Sequence, residues 1–384
     1  MLKVAIVGCG KIADAHAAQI QRVPGCGIVA VCDREPLMAA QLADRFDVAR
    51  TYQDIDHLLG EARPDVVHIT TPPQGHFDIA RRCLEGGAHV YVEKPFTLYA
   101  DEARQLIALA CEKGLKITAG HDDQFTHVAR RLREQVTAGY LGGAPLHMES
   151  YYCYDLSQPG YARALLGDKQ HWVRRLPGKL LHNIISHGIA RIAEYITGDA
   201  PQVVAHGFVS PLLRGLGEDD IIDELRVIVA DGGKSTSYFT FSSQMRPSLH
   251  QFRVFGPRNG LLLDHDQESL IKLPGTRMKS YSEKFVPHLR LAHQHVGNFR
   301  TNLRTFLKRD FHMKSGMKFL IESFYRSITD GAPLPLSYRE ILLTAVIMDS
   351  IFEQLASRRA DDSVERRDDR RAGVRLSVVE GAVR

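Results

Sequence analysis

The feature that most constrains this chain is its opening run, Val4–Asp33, which reads VAIVGCGKIADAHAAQIQRVPGCGIVAVCD. Val4–Val7 is apolar without alternation, the pattern of a strand buried on both faces. Gly8-Cys9-Gly10 follows at once. Ile12, Ala15, His16 and Ile20 then recur at helical spacing, and a second apolar run, Ile28–Cys32, ends on Asp33. The order is strand, glycine turn, helix, strand, acid.

Each part has a chemical reason. Gly8 permits a tight turn out of the strand, and Gly10 lacks the Cβ that would keep a pyrophosphate off the backbone. Ala13 is small enough for the helix to pack on the strand. Lys11 and Ile12 open that helix, whose free N–H groups and positive end suit phosphates. A glycine triplet alone could be an ordinary strand-to-helix turn. With strand, helix and a correctly spaced acid all present, it reads as a dinucleotide site. Asp33 would accept hydrogen bonds from the adenosine ribose and repel a 2′-phosphate, which favours NAD. Arg34 beside it could pair with that phosphate, so NADP stays open.

Strand and helix patterns alternate onward to Ala119, which predicts a doubly wound parallel sheet of the Rossmann type over residues 1–121. Ligands on such sheets sit beyond the carboxyl ends of the strands. Three loops meet there: Gly8–Ala13, Thr70–His76 and Glu93–Phe96. Lys94, between Glu93 and Pro95, ends a strand and faces that crevice. The plain alternative is a solvated surface pair.

Composition bounds the rest. The chain has 384 residues, enough for two cores, and a net charge of +4, too small to imply nucleic-acid binding. Its six Cys show no CxxC pair, and Cys9, Cys26, Cys32, Cys83 and Cys111, in or beside elements of the first domain, read as small buried residues of a reducing cytosol. No metal is expected. A strand begins at once, leaving no room for a signal peptide, and no apolar run is long enough to span a membrane. A cytoplasmic protein is therefore expected.

Residues 122–357 predict a second, α+β domain with a mostly antiparallel open sheet, and 358–384 a mobile charged tail. Tyr151, Tyr152 and Tyr154 suit either a sugar face or a core. Trp172 sits in an irregular stretch beside His171, Arg174 and Arg175. In PGKLLHNIISHGIARIAEYITG, apolar residues at helical spacing place His182, Asn183, Ser186 and His187 near a helix start. The segment His288–Lys318 is basic, which reads as a solvated helix or as a site for an anionic substrate.

The segments GCGKIADAH, TPPQGHFDIA and GGAHVYVEKPFTL together resemble the Gfo/Idh/MocA oxidoreductase family. The resemblance implies that Lys94 lies at the nicotinamide and substrate, that Glu93 supports it, and that Thr70, Pro72 and His76 line the cofactor. His187 falls on the family's histidine. The chain departs from the family pattern at Asn183, Ile185 and Gln124. An open second sheet commonly forms the dimer face in this family, so a homodimer or homotetramer through that sheet is expected.

The reading that follows is an NAD-dependent oxidoreductase acting on a sugar, polyol or nucleotide-sugar hydroxyl. Lys94 would hydrogen-bond the reacting oxygen, His187 would take its proton, and Asn183 would orient. The run from Tyr161 to Gly188 also looks like family members of surface-polysaccharide synthesis. Two rivals remain: a glycoside-cleaving enzyme using transient oxidation, and a non-catalytic NAD-sensing protein.

Overall fold

The computed structural model describes residues 1–155, 168–275, 279, 281–311 and 314–372, with side chains described to residue 357. The first domain alternates β1 (Leu2–Val7), α1 (Lys11–Ile20), β2 (Cys26–Cys32), α2 (Pro36–Phe46), β3 (Thr51–Tyr52) and α3 (Ile55–Ala62). It continues with β4 (Val66–Ile69), α4 (His76–Glu85), β5 (His89–Val92), α5 (Ala100–Glu112) and β6 (Ile117–Ala119). The strands form a six-stranded sheet in the order β3-β2-β1-β4-β5-β6. Every pair in it is parallel. Val4–Val7, Val66–Ile69 and Val90–Val92 are buried throughout, as helices on both faces require. The order reverses between β1 and β4, so the crevice opens there, between the Gly8 and Thr70 loops.

A short 3₁₀ turn, Asp122–Phe125, leads to α6 (His127–Thr137) and β7 (His147–Asp155). The expected single helix after Pro177 is two, α7 (Lys179–Ile184) and α8 (Ser186–Ala193), joined at Ile185. Then come β8 (Gln202–Phe208), α9 (Pro211–Gly215), β9 (Glu224–Asp231), β10 (Ser235–Ser242), β11 (Gln244–Phe255), β12 (Asn259–Asp264) and β13 (Ser269–Pro274). The second sheet runs β13-β12-β11-β7-β10-β9-β8. Its one parallel pair among the described residues is β10 with β7. The predicted Asp231-Gly232-Gly233 hairpin is present, with both glycines at positive φ.

Helices α10 (Ser282–Leu307), α11 (Ser315–Thr329) and α12 (Tyr338–Ala372) close the chain. They change the expected division of the chain in one respect. Met317, Leu320, Ile321, Phe324 and Tyr325 of α11 join the core of the first sheet, not the second. Helix α12 reaches both: Ile341 packs in the first core, Ile347 and Ile351 in the second. The backbone stays helical to Ala372, into the segment expected to be mobile, and residues 373–384 lie outside those described.

Both edges of the second sheet are closed by side-chain amides standing in for a further strand. At β8, Gln354 donates to Val203 O at 2.8 Å and accepts from Ala205 N at 3.0 Å. At β13, Asn298 donates to Leu270 O at 3.0 Å and accepts from Leu270 N at 3.2 Å. Gln294 treats Lys272 the same way, at 3.1 Å and 2.7 Å. Unpaired edges are thereby satisfied without exposing a template for aggregation.

Candidate active site

The glycine loop is shaped from below. Gly8 has φ +93°, and a Cβ there would lie 2.6 Å from Thr71 N. Thr70 Oγ1 donates to Gly8 O at 2.5 Å and to Val7 O at 3.1 Å. Gly10 caps α1 with no side-chain partner, and nothing stands within 4 Å of where its Cβ would be. The first N–H groups of α1, at Lys11 and Ile12, thus face open space. Asp33 accepts from Cys9 N at 2.7 Å and from Glu35 N at 2.9 Å. Each carboxylate oxygen keeps a lone pair for a ribose hydroxyl. Open space before Gly10, uncapped N–H groups and this carboxylate fit a dinucleotide: Lys11 and Ile12 would hold its pyrophosphate and Asp33 its ribose.

Arg34 and Pro72 are exposed at this rim. His76 differs from expectation. It is fully buried, with its ring nitrogens 2.9 Å from the carbonyl oxygens of Pro95 and Thr71. Burial lowers its pKa although both carbonyls oppose this. It braces two cofactor loops from behind and presents no surface to a ligand.

Behind Lys94 runs a buried polar chain absent from the sequence reading. Tyr325 OH lies 2.8 Å from His68 Nε2, His68 Nδ1 lies 2.8 Å from His16 Nδ1, and His16 Nε2 lies 2.8 Å from Glu93 Oε1. Each ring nitrogen of this polar chain thus lies within hydrogen-bond distance of a polar neighbour. A carboxylate only accepts, so His16 Nε2 donates to Glu93. Burial lowers the His68 pKa far below normal, in keeping with a neutral ring. Burial would raise the Glu93 carboxyl, but the hydrogen bond and charge interaction with His16, and then the Lys94 charge, hold it down to about 2. Glu93 Oε2 in turn accepts from Lys94 N at 3.1 Å.

Lys94 crosses to the second domain. Its Nζ donates to the backbone carbonyl of Asn183, at 3.0 Å, which leaves two N–H donors for a ligand. Asn183 meets Lys94 through the backbone, so the family's Asp could be replaced without losing this contact. His187, on the next turns of the chain, is buried, with Nδ1 3.6 Å from Asp123 Oδ2. That is too long for a hydrogen bond but close enough for strong charge coupling. Burial pushes the His187 pKa to about 4, aided by Lys94 and Arg191 and opposed by Asp123. The ring is a neutral acceptor near neutral pH.

Three residues of this crevice were missed by sequence reasoning. Asp123 accepts from Tyr152 OH at 3.0 Å and from Arg191 Nη2 at 3.3 Å. Burial would raise its carboxyl, but His187, Arg191 and His265 outweigh that and keep it ionised. Burial and the Asp123 charge raise neighbouring Asp122 instead. Arg191 is buried, four residues after His187, a spacing that shares one helix face and could have disclosed it. His121 packs edge-on to His187, ring centroids 6.3 Å apart, and burial pushes its pKa down to about 3. Asp122, Asp123 and His187 place three possible metal-ligand atoms within 4.8 Å of one another. Arg191 and Lys314 already supply positive charge to the two carboxylates.

Beyond Asp123 and Arg191 opens a cavity of about 490 Å³, lined also by Tyr152, Tyr154, His250 and His265. Tyr151 points to the other face of the sheet and pairs with Glu149. Gln124 faces inward to Glu194, at 3.0 Å, away from the crevice. His182 stacks on Phe352 at 4.7 Å, away from Lys94. Arg174 is paired with Glu218 at 2.6 Å. Trp172 O accepts from Gln74 at 3.0 Å, tying its segment to the cofactor loop, while residues 156–167 lie outside those described.

The fold and site define a dinucleotide-binding protein whose second domain meets the crevice at Lys94. Residues 2–121 match the family model GFO_IDH_MocA, described as the oxidoreductase family with an NAD-binding Rossmann fold. D-glucoside 3-dehydrogenase of Escherichia coli is 34% identical over 37% of this chain and 40% of its own length. UDP-N-acetylglucosamine 3-dehydrogenase of Acidithiobacillus ferrooxidans is 32% identical over 39% of this chain and 44% of its own. The matches thus span less than half of these curated relatives. The WlbA dehydrogenase of Bordetella pertussis, solved with NADH and UDP-GlcNAcA, superposes with a TM-score of 0.72 at 14% identity, covering 92% of this chain and 94% of that one. That likeness is one of fold. No helix among the described residues is long and apolar enough to cross a membrane.

Proposed function

We propose that this protein is an NAD-dependent dehydrogenase acting on a CH–OH group of a sugar, sugar nucleotide or polyol. The observation that carries the reading is the Lys94 Nζ to Asn183 O bond of 3.0 Å. It joins the strand end of the cofactor domain to α7, and α8, which follows at once, carries a neutral His187 close enough for the Lys94 charge to lower its pKa. NAD⁺, when bound, supplies the acceptor for the hydride leaving the substrate carbon. His187 takes the hydroxyl proton, Lys94 stabilises the developing alkoxide, and the product is the ketone with a proton released. Asp123 lies 3.6 Å from Nδ1 of the His187 ring, and Nε2 is the nitrogen that would meet the substrate.

The sugar nucleotide is favoured among these substrates by the cavity of about 490 Å³, in the range of pockets that enclose whole ligands. Arg174 is held by Glu218, whereas on the cavity wall Arg191, paired through Nη2 with Asp123, keeps Nε and Nη1 for polar groups of such a substrate. Such a substrate would fit a role in polysaccharide synthesis. The open face of the second sheet, with Val204, Phe208, Ile228 and Tyr238 exposed, would take a second copy of the chain.

A screen of free sugars, inositols and UDP-sugars, read by NADH absorbance, tests the reading. Net NADH formation with one of them is expected. Substrate cleavage without net NADH would instead favour the glycoside-cleaving cycle. Calorimetric titration should give tighter binding of NAD than of NADP, with the gap narrowed in Asp33→Ser.

A further inference from the structure

Helix α10 is built inside out. Its inward face is polar: Gln294, Asn298 and Asn302, spaced by one turn each, bind the backbone of β13 and the turn before it. Its outward face is apolar. Phe285, Leu289, Ala292, Val296, Phe299, Leu303 and Phe306 follow one another at alternating steps of four and three. At 3.6 residues per turn the centres of these two sets lie about 130° apart. Exposure confirms the geometry: Phe285 is 66% exposed, Leu289 73%, Phe299 65% and Phe306 64%. A contiguous row of large apolar side chains is costly to leave in water and marks an interaction surface.

The flanks of the row identify its occupant. Helix α10 carries Lys284, Arg290, Arg300 and Arg304 with His288, His293 and His295, against Glu283 alone. The whole chain is nearly balanced, with 49 Lys and Arg against 45 Asp and Glu. Among the described residues, no ion pair engages Arg300 or Arg304. The row's four-three spacing also suits a coiled coil. In a self-paired seam, however, the positions beside the row, His288, His293, His295 and Arg300, would meet their own kind with no acid to pair. An apolar, phenylalanine-rich face with basic flanks matches an anionic lipid surface instead: the rings enter the acyl boundary and the guanidinium groups reach the headgroups.

We propose that α10 is a peripheral membrane-docking helix, held flat by its amide contacts to β13 and binding anionic phospholipid through the Phe285–Phe306 row. The open sheet face lies elsewhere on the domain, so docking leaves it free for a second copy.

The test is co-sedimentation of the full chain with vesicles of phosphatidylcholine alone and of phosphatidylcholine mixed with phosphatidylglycerol. Binding only to the mixed vesicles, weakened by salt, is expected. Arg300→Gln and Arg304→Gln should each weaken it by about fivefold, the loss for one basic residue at a charged surface. Phe299→Glu with Leu303→Glu should abolish it. All these positions are exposed, so the thermal midpoint should stay unchanged, which separates lost docking from lost fold. No binding to the mixed vesicles at low salt overturns the proposal. So does a native dimer, seen by sedimentation velocity, that the Phe299→Glu, Leu303→Glu variant splits, since the row would then be a seam between copies.

Discussion

His16 Nε2 stands 2.8 Å from Glu93 Oε1, and that contact ties the strand end that carries Lys94 to the interior of the first domain. His16 should therefore be a positioning residue for Lys94. His16→Leu leaves the buried Glu93 carboxylate without its donor, a loss of about 1–3 kcal/mol in stability. Urea unfolding measures it. Activity should fall with little change in NAD affinity, and His16→Gln, which keeps a donor, should recover part of both.

The same carboxylate sets an acid limit to stability. Its folded pKa is depressed from 4.5 to about 2, so its stabilising contribution is complete above the unfolded value and fades as pH falls from the one to the other. In Glu93→Gln the unfolding midpoint should be lower than native near neutral pH, and the two proteins should converge as pH drops toward that limit.

Asp122 should act in the opposite sense. Burial and Asp123 raise its folded pKa above 3.8, so the folded state binds the proton more tightly and loses stability as pH rises beyond that value. Asp122→Asn should then melt higher than the native protein at about pH 8 and at the same temperature at about pH 4. Scanning calorimetry at both values checks it, and a lower melting point at alkaline pH would contradict it.

The two loop glycines should fail differently. At Gly8 both the positive φ and the 2.6 Å approach to Thr71 N forbid a side chain, so Gly8→Ala should cost about 1–3 kcal/mol of stability. At Gly10 there is open space, so Gly10→Ala should unfold like the native protein and lose NAD affinity by about tenfold or more. Calorimetric titration beside thermal melts separates the two.

How much of this was legible in the sequence depends on range. The glycine loop, Asp33 and the Glu93-Lys94-Pro95 strand end are local signals, and the sheet forms around them as expected. The His16–His68–Tyr325 chain was not legible, because it joins residues up to 257 positions apart across a core that only the fold assembles. His16 lay at helical spacing among apolar residues and looked like one of them. Asp123 lay at the expected boundary between the two domains, four residues beyond the strand end at Ala119, and no local pattern marked it. For α10 the basic residues suggested a solvated helix. Its apolar row was present at coiled-coil spacing, but histidines and Pro287 broke the visual pattern, and no periodicity says which face turns inward.

The central claim is that Lys94 and a neutral His187 act on one oxygen. The most direct measurement is kcat/KM against pH for the native enzyme, His187→Ala and Lys94→Met, with NAD binding measured separately. The native rate should fall on the acid side through about pH 4, where His187 gains its proton. His187→Ala should lose about 10²–10⁴-fold and that limb with it. Lys94→Met should keep NAD affinity and lose about 10²–10³-fold in kcat. Its acid limb should move upward, because a cation that depresses His187 is gone. A His187→Ala enzyme with near-native rate and an unchanged acid limb would contradict the account.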